Sequence, residues 1–245
     1  MMTIAAQAAM PAYVRCGLVL DDIVAGQILT DDAANPTWAV VRENAYGTTF
    51  LGGKFDKALV EQVITTLQQH GDVVLLLLPD DELFTLLPQP QYDGYAIDFT
   101  ERPIGSGLDD YLRVPEGCQI RRIDRELFER SADREANLAV FGSVERALER
   151  WTGFFLMRGD EILSEASAGP AANGIVELGV ATPEPHQRKD YATIVCAHLI
   201  QTCESMGYQT YWNTAKQNHA SIALARKLGY RREVEHRVLA WFKAI

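Results

Sequence analysis

Apolar positions recur at helical spacing through Lys57–Gln69, where Leu59, Val60, Val63, Ile64 and Leu67 fall on one face. Asp56 stands where an N-cap belongs, and Gly71 lies just past the end as a stop. The next run, Asp72–Leu78, is an unbroken Val/Leu segment closed by Pro79, the pattern of a strand covered on both faces. Shorter runs predict strands at Thr37–Arg42, Thr48–Leu51 and Tyr95–Thr100. Past the midpoint the pattern predicts a strand at Cys118–Ile123 and helical segments from Asp124 to about Arg150. Three strands follow, Gly153–Met157, Glu161–Ala166 and Ile175–Ala181. Gly159-Asp160 suits a tight turn between the first two, and the Gly169–Gly174 loop joins the second to the third. A polar, proline-bearing stretch, Thr182–Asp190, then feeds a helix from Tyr191 to about Met206. Ala192, Val195, Cys196, Leu199, Cys203 and Met206 give that helix its core stripe, and Gly207 ends it. A strand at Tyr208–Thr214, a helix capped by Asn218 and running through Lys227, a Gly229 stop and a strand at Val234–Phe242 complete the chain. The class is α/β.

Pro103, Gly105, Ser106, Gly107, Pro115 and Gly117 cluster between two strand-like stretches, which places a boundary at about residue 113. The expected organisation is an N-terminal α/β domain, 1–113, and a second domain, 114–245. The length of 245 residues accommodates that division, and 47% apolar with 23% charged residues is ordinary globular composition. The formal net charge of −10 gives no electrostatic footprint for DNA or RNA and favours cationic small molecules at any acidic cleft. The longest apolar stretch, Val73 to Pro79, is far shorter than the ~20 residues of a membrane helix. Met1–Met10 is Ala-rich without a charged leader and Arg15 soon breaks the apolar run, so the expectation is a cytoplasmic protein with no membrane partner. Cys16, Cys118, Cys196 and Cys203 form no CxxC pair and no metal-ligand spacing with His; Cys196 and Cys203 read as small core residues, and no metal is expected.

Chemistry concentrates between Ile175 and Thr193. A strand leading through a turn into a helix exposes several backbone N–H groups, and the helix dipole adds partial positive charge. Arg188 and Lys189 beside that turn would strengthen a grip on phosphate, although a basic loop before an ordinary helix has the same look. Gly47–Lys54 is a near miss for a P-loop: the spacing is one residue too long, and Phe55 replaces the needed hydroxyl.

Gln187-Arg188-Lys189-Asp190-Tyr191-Ala192 resembles the acetyl-CoA pyrophosphate loop of the GNAT superfamily of N-acetyltransferases, Gln/Arg-x-x-Gly-x-Gly/Ala. Asn218-His219-Ala220-Ser221 followed by Lys227-Leu228-Gly229-Tyr230 is similar to that family's closing helix. The likeness covers about Cys118 to Trp241. The phrasing Val176-Glu177-Leu178-Gly179-Val180, with Ser221 and Lys227-Leu228-Gly229, looks closest to the subgroup of the zwittermicin-resistance acetyltransferase. The resemblance implies a mixed, mostly antiparallel twisted sheet flanked by helices, preceded by a smaller α/β domain that shapes the acceptor pocket or is a degenerate GNAT-like half. It implies acetyl-CoA as co-substrate and direct acetyl transfer to a primary amine of a small, cationic molecule; a homodimer is left open.

By the same resemblance Val180, Ala181 and Thr182 hold the pantetheine arm and polarise the thioester carbonyl, because their strand splays from Tyr208–Thr214. Gln187, Arg188, Lys189, Asp190, Tyr191, Ala192 and Thr193 take the pyrophosphate, and Asn213, Asn218 and Ser221 lie along the coenzyme. Glu177, on a strand amid apolar neighbours, is the candidate base, with a salt-bridge partner as the plainer reading. Tyr211 is the candidate acid, with Tyr191 a second; each is equally readable as a packed aromatic. Two positions depart from the family. Asp190 replaces the central Gly, so its carboxylate must point outward or pair with Arg188 or Lys189. Ala225 stands where many relatives place the Tyr that protonates the leaving thiolate. These departures keep a second reading alive, a catalytically impaired module that binds acyl-CoA or another protein; transfer of a longer acyl chain is a third.

Overall fold

The computed structural model describes residues 14–78, 81–105 and 107–243; the expectations that fell on Met1–Met10, Pro79 and Ser106 lie outside those residues. Helix α1 (Val14–Leu20) and strand β1 (Gly26–Thr30) open the chain, and neither shows in the sequence pattern. The reason is local. Gly17 and two Val residues blur the helical signal of α1, and β1 begins on a glycine and holds only two large apolar side chains. Strands β2 (Trp38–Glu43) and β3 (Thr48–Gly53) continue an antiparallel meander, with Gly26 opposite Glu43 and Trp38 opposite Gly53. The Asp56 carboxylate caps α2 (Lys57–Gln68) by accepting from Leu59 N at 2.8 Å, and the stripe Val60, Val63, Ile64 and Leu67 is buried. Strand β4 (Val73–Leu77) lies parallel to β3 over only two pairs, Thr48 with Val74 and Thr49 with Leu75. It also pairs antiparallel with the end of β11 (Arg231–Trp241), and Val40, Leu51, Leu75, Leu239 and Trp241 join the helix stripe in one core.

Close packing groups Met1–Asp98, Ala215–Gln217 and Val234–Ile245 in one unit, and Phe99–Thr214 with Asn218–Glu233 in another. The Pro- and Gly-rich stretch around residue 113 therefore falls inside the second unit. Strand β5 (Tyr92–Glu101) is shared out at Asp98, because a chain can pass from unit to unit inside a continuous strand that composition does not mark. Within the first unit Asp98 and His236 lie buried side by side, Oδ2 to Nδ1 2.5 Å.

The second unit starts with β6 (Gln119–Arg122), and the helical stretch after it is three helices. Asp124 caps α3 (Arg125–Arg130), and extended Ser131 ends it. Gly142, at φ 78°, closes α4 (Arg134–Phe141), and Ser143 caps α5 (Val144–Arg150). Phe128, Phe141, Trp151 and Phe155 pack beneath them. Strands β7 (Thr152–Arg158), β8 (Glu161–Ala168) and β9 (Ile175–Ala181) extend the antiparallel sheet from β6. Helix α6 (Tyr191–Ser205) crosses over to β10 (Gln209–Ala215), which runs parallel to β9, and α7 (His219–Lys227) comes next. This is the mixed, mostly antiparallel sheet with flanking helices that the motifs implied. Cys16, Cys196 and Cys203 are buried free thiols; burial pushes Cys16 and Cys203 up to about 12, so they serve as inert packing.

Candidate functional site

Strands β9 and β10 pair for three residues, Ile175 with Gln209, Val176 with Thr210 and Glu177 with Tyr211, and then part. Residues 178–181 keep their antiparallel partners on β8, Ala168 to Glu165, so the sheet opens on one side of β9 only. A strand edge without a ladder leaves amide and carbonyl groups to be satisfied by something else.

The chain leaves that edge through a one-turn 3-10 helix, Glu184–His186, and reaches α6 by a tight bend. Gln187 closes the bend by donating its side-chain amide to Thr182 O at 3.1 Å, while Lys189 Nζ donates to Pro185 O at 2.8 Å. Arg188 and Asp190 both adopt left-handed conformations, φ 60° and 61°. Alternation of this kind turns neighbouring N–H groups toward a common point and forms an anion-binding concavity. The first N–H returned to the helix is that of Ile194, donated to Asp190 O at 3.1 Å, so the N–H groups ahead of it point out of the helix end. Asp190 makes no side-chain cap; its Oδ1 lies 2.7 Å from Lys227 Nζ. The acidic residue in the bend is thus paired from α7, not by Arg188 or Lys189.

A cleft of about 540 Å³ lies over this bend. Its wall gathers Val180, Thr182, Gln187, Arg188, Asp190, Tyr191, Ala192, Thr193, Asn218 and Ser221, all of them singled out from the sequence. Ala181 and Lys189 are their chain neighbours but not wall residues. Asn213 lies on β10 past its last pair with β9, and Glu177 and Tyr211 face each other at that pair, away from the wall. Tyr211 is buried, whereas Tyr191 stands in the cleft with its hydroxyl accepting from Arg158 Nη2 at 3.1 Å. Asn218 caps α7 by accepting from Ser221 N at 3.2 Å, and Ser221 Oγ accepts from Trp212 Nε1 at 3.1 Å. Ala225 is fully buried, and the nearby Tyr230 hydroxyl donates to Thr210 Oγ1 at 2.6 Å. Burial pushes Tyr230 far above the ordinary phenol range.

Sequence reasoning missed five wall residues: His186, Ala220, Ala223, Leu224 and Lys227. Four of them recur at three-and-four spacing along α7, a periodicity that was open to reading. It also missed Glu165, on β8 opposite Ala181. Glu165 is 6% exposed; its Oε1 accepts from Ala132 N at 2.7 Å, and its Oε2 is buried without a hydrogen-bond partner. Burial raises its pKa to about 7, opposed by the Ala132 bond and the Ser131 hydroxyl and reinforced by the Asp133 charge. The signal for it was a glutamate in a run, Leu163 to Ala166, that is buried at every position.

Among the described residues no group of three or more His, Cys, Asp or Glu side chains could hold a metal ion, and no helix is long and apolar enough to cross a membrane. The family model described as GNAT acetyltransferase matches residues 16–239. The Bacillus subtilis protein YdfB, described as an uncharacterized N-acetyltransferase, is 27% identical over 131 residues, 52% of this chain and 49% of its own. The chain thus spans about half the length of that curated relative. A GCN5-related N-acetyltransferase-like protein from Streptococcus suis superposes with a TM-score of 0.63 at 21% identity, covering 86% of this chain and 87% of that one. A tandem GNAT protein from the clavulanic acid biosynthesis pathway superposes with a TM-score of 0.59 at 10% identity, covering 94% and 87%. At such identities the two structures speak for fold alone. The family match extends over nearly the whole chain and both units, and on that ground the chain belongs to the GNAT acetyltransferase family.

Proposed function

We propose that the second unit binds acetyl-CoA in the 540 Å³ cleft and transfers its acetyl group directly to a primary amine of a small, cationic molecule. One observation carries the reading: β9 parts from β10 at the mouth of a helix whose N-terminus is uncapped, with Asp190 turned aside to Lys227. The amides of residues 187–193 are placed to receive a diphosphate, with Arg188 adding charge. The open edge of Val180, Ala181 and Thr182 offers donors to the pantetheine arm and to the oxygen on which negative charge develops. Bound acetyl-CoA supplies a thioester, an acyl group already activated for attack by a neutral amine. Positioning of that kind is worth several kcal/mol before any proton is moved.

Two finer readings go with it. The strand Val176–Val180, with Ser221 and Lys227–Gly229, supports a place in the zwittermicin-resistance-type subgroup. The first unit is a degenerate copy of the second: β1–β3 and β7–β9 are each a run of three antiparallel strands followed by a helix and a strand parallel to the third over two or three residues only. Ala225 favours one alternative, a module that holds acyl-CoA without turning it over. Titration calorimetry with acetyl-CoA is expected to show saturable binding, and mass spectrometry of an amine panel incubated with protein and coenzyme is expected to show a gain of one acetyl group. Binding without transfer supports the alternative, and no binding defeats both.

A further inference from the structure

We propose that a second cavity, of about 250 Å³ beside Glu165, is the pocket for the acceptor amine, and that the Glu165 carboxylate takes the proton from the incoming ammonium group. The proposal rests on the acetyl-transfer reading. Arg130, Ile162, Glu165, Ala181, Thr182 and Pro183 form the cavity wall. Thr182 also lines the 540 Å³ cleft, so the two spaces share a wall residue at the end of β9. Ser164 holds that end in place, its hydroxyl 2.8 Å from Thr182 Oγ1 and 3.2 Å from Ala181 O. In the sheet register Glu165 lies directly opposite Ala181, a residue of the edge assigned to the thioester.

The carboxylate is half used. Oε1 is committed to Ala132 N, but Oε2 is buried with no partner, an arrangement that is costly unless a ligand or a proton satisfies it. An ammonium group would satisfy it completely. The charged groups around Glu165 are few. Asp133, in the turn before α4, raises its pKa further, and Arg130, at the end of α3, is already engaged by Glu126 and the Asp160 carbonyl. On the sheet its neighbours are Phe155 of β7 and Ala181 of β9, neither ionisable. A group with a pKa near 7 is well matched to accepting an amine proton at neutral pH.

The balance is simple. R–NH3+ gives one proton to Glu165, the neutral nitrogen forms the C–N bond at the acetyl carbon, and the C–S bond breaks. The second nitrogen proton goes to the departing thiolate, and Glu165 releases its own to solvent. The products are the acetamide, coenzyme thiol and one H+. A volume of 250 Å³ is at the small end of ligand sites, so the acceptor inserts an amine on a short arm.

The test uses the full chain, acetyl-CoA and a panel of alkyl diamines, amino sugars and polyamines. Wild-type kcat/KM is expected to rise with pH through an inflection near 7. Glu165→Gln is expected to lower it by roughly 10²–10⁴-fold and to abolish the inflection, with the acetyl-CoA Kd unchanged. Glu165→Asp keeps the acid at shorter reach and should retain the inflection with a smaller loss, which guards against a Gln variant that fails to fold. An inflection that persists in Glu165→Gln, or that vanishes in Glu177→Gln instead, overturns the proposal while leaving acetyl transfer intact. No transfer by wild type to any amine of the panel defeats the parent reading, and this one with it.

Discussion

A carboxyl buried with one oxygen unpaired makes stability depend on pH in a direction opposite to that of a paired carboxylate. Glu165 has a native pKa of about 7 against an ordinary 4.5, so between those values the native state keeps a proton that the unfolded chain has released. Stability is then full below pH 4.5 and declines as pH rises through 7, by an amount on the order of 3 kcal/mol. Glu165→Gln removes this dependence while preserving shape. Urea unfolding of wild type and variant at about pH 4 and pH 8, on either side of that window, should show the variant gaining at the higher pH; parallel curves would mean that the carboxyl is not held protonated. Asp190 presents a different residue-level balance. Its left-handed backbone costs roughly 1 kcal/mol that glycine would not. Its pair with Lys227 is largely exposed on the Asp190 side and is worth less than about 1 kcal/mol. Asp190→Gly is therefore expected to be neutral to slightly stabilising and to free Lys227 for an anion in the cleft. Calorimetry should find acetyl-CoA binding tightened several-fold, more so at low salt. Weaker binding would show instead that the carboxylate usefully positions Lys227.

The cap at Asn218 shows how elements carry side chains to the cleft. Its Oδ1 satisfies Ser221 N at the start of α7, and the face of that helix bearing Ala220, Ala223, Leu224 and Lys227 forms one wall. Asn218→Ala is expected to cost about 1 kcal/mol in thermal or denaturant unfolding, with a small change in coenzyme affinity if capping is its whole role. Elements with strong periodicity were legible from sequence: α2 through Leu59, Val60, Val63, Ile64 and Leu67, and α6 through its stripe. So was the part of the wall drawn from residues 187–193, all of them but Lys189, because a loop motif keeps its members together in sequence. What was not legible depends on distance. Glu165 becomes a candidate only when the turn at Ala132 closes over β8, and Lys227 only when α7 brings it to Asp190. The stretch from Asp124 to Arg150 was read as helical segments without their bounds, because the breaks between the three helices, at 131–133 and 142–143, are only two or three residues long.

If the chain binds acetyl-CoA as proposed, the repeated topology makes the number of sites a question of the two helix ends. In the second unit, residues 182–190 separate β9 from α6, long enough for a 3-10 turn and two left-handed residues, and the helix N-terminus is uncapped. In the first unit only residues 54–56 separate β3 from α2, and the Asp56 carboxylate accepts from Leu59 N, occupying one of the donors a phosphate would need. The side chains between its diverging strands, Leu51 and Leu75 among them, are core. A carboxylate already seated at a helix end repels a second anion, so on the proposed reading the two helix ends differ in anion binding through one capping residue and one loop length. Titration should therefore give one acetyl-CoA per chain. Asp56→Ala should lower stability by about 1 kcal/mol without changing that number or the Kd. Arg188→Ala, in contrast, should weaken binding and flatten its dependence on salt while leaving stability nearly unchanged. Two equivalents bound, or a loss of affinity in Asp56→Ala, would show that the first unit had kept the binding role that its own helix cap is argued to exclude.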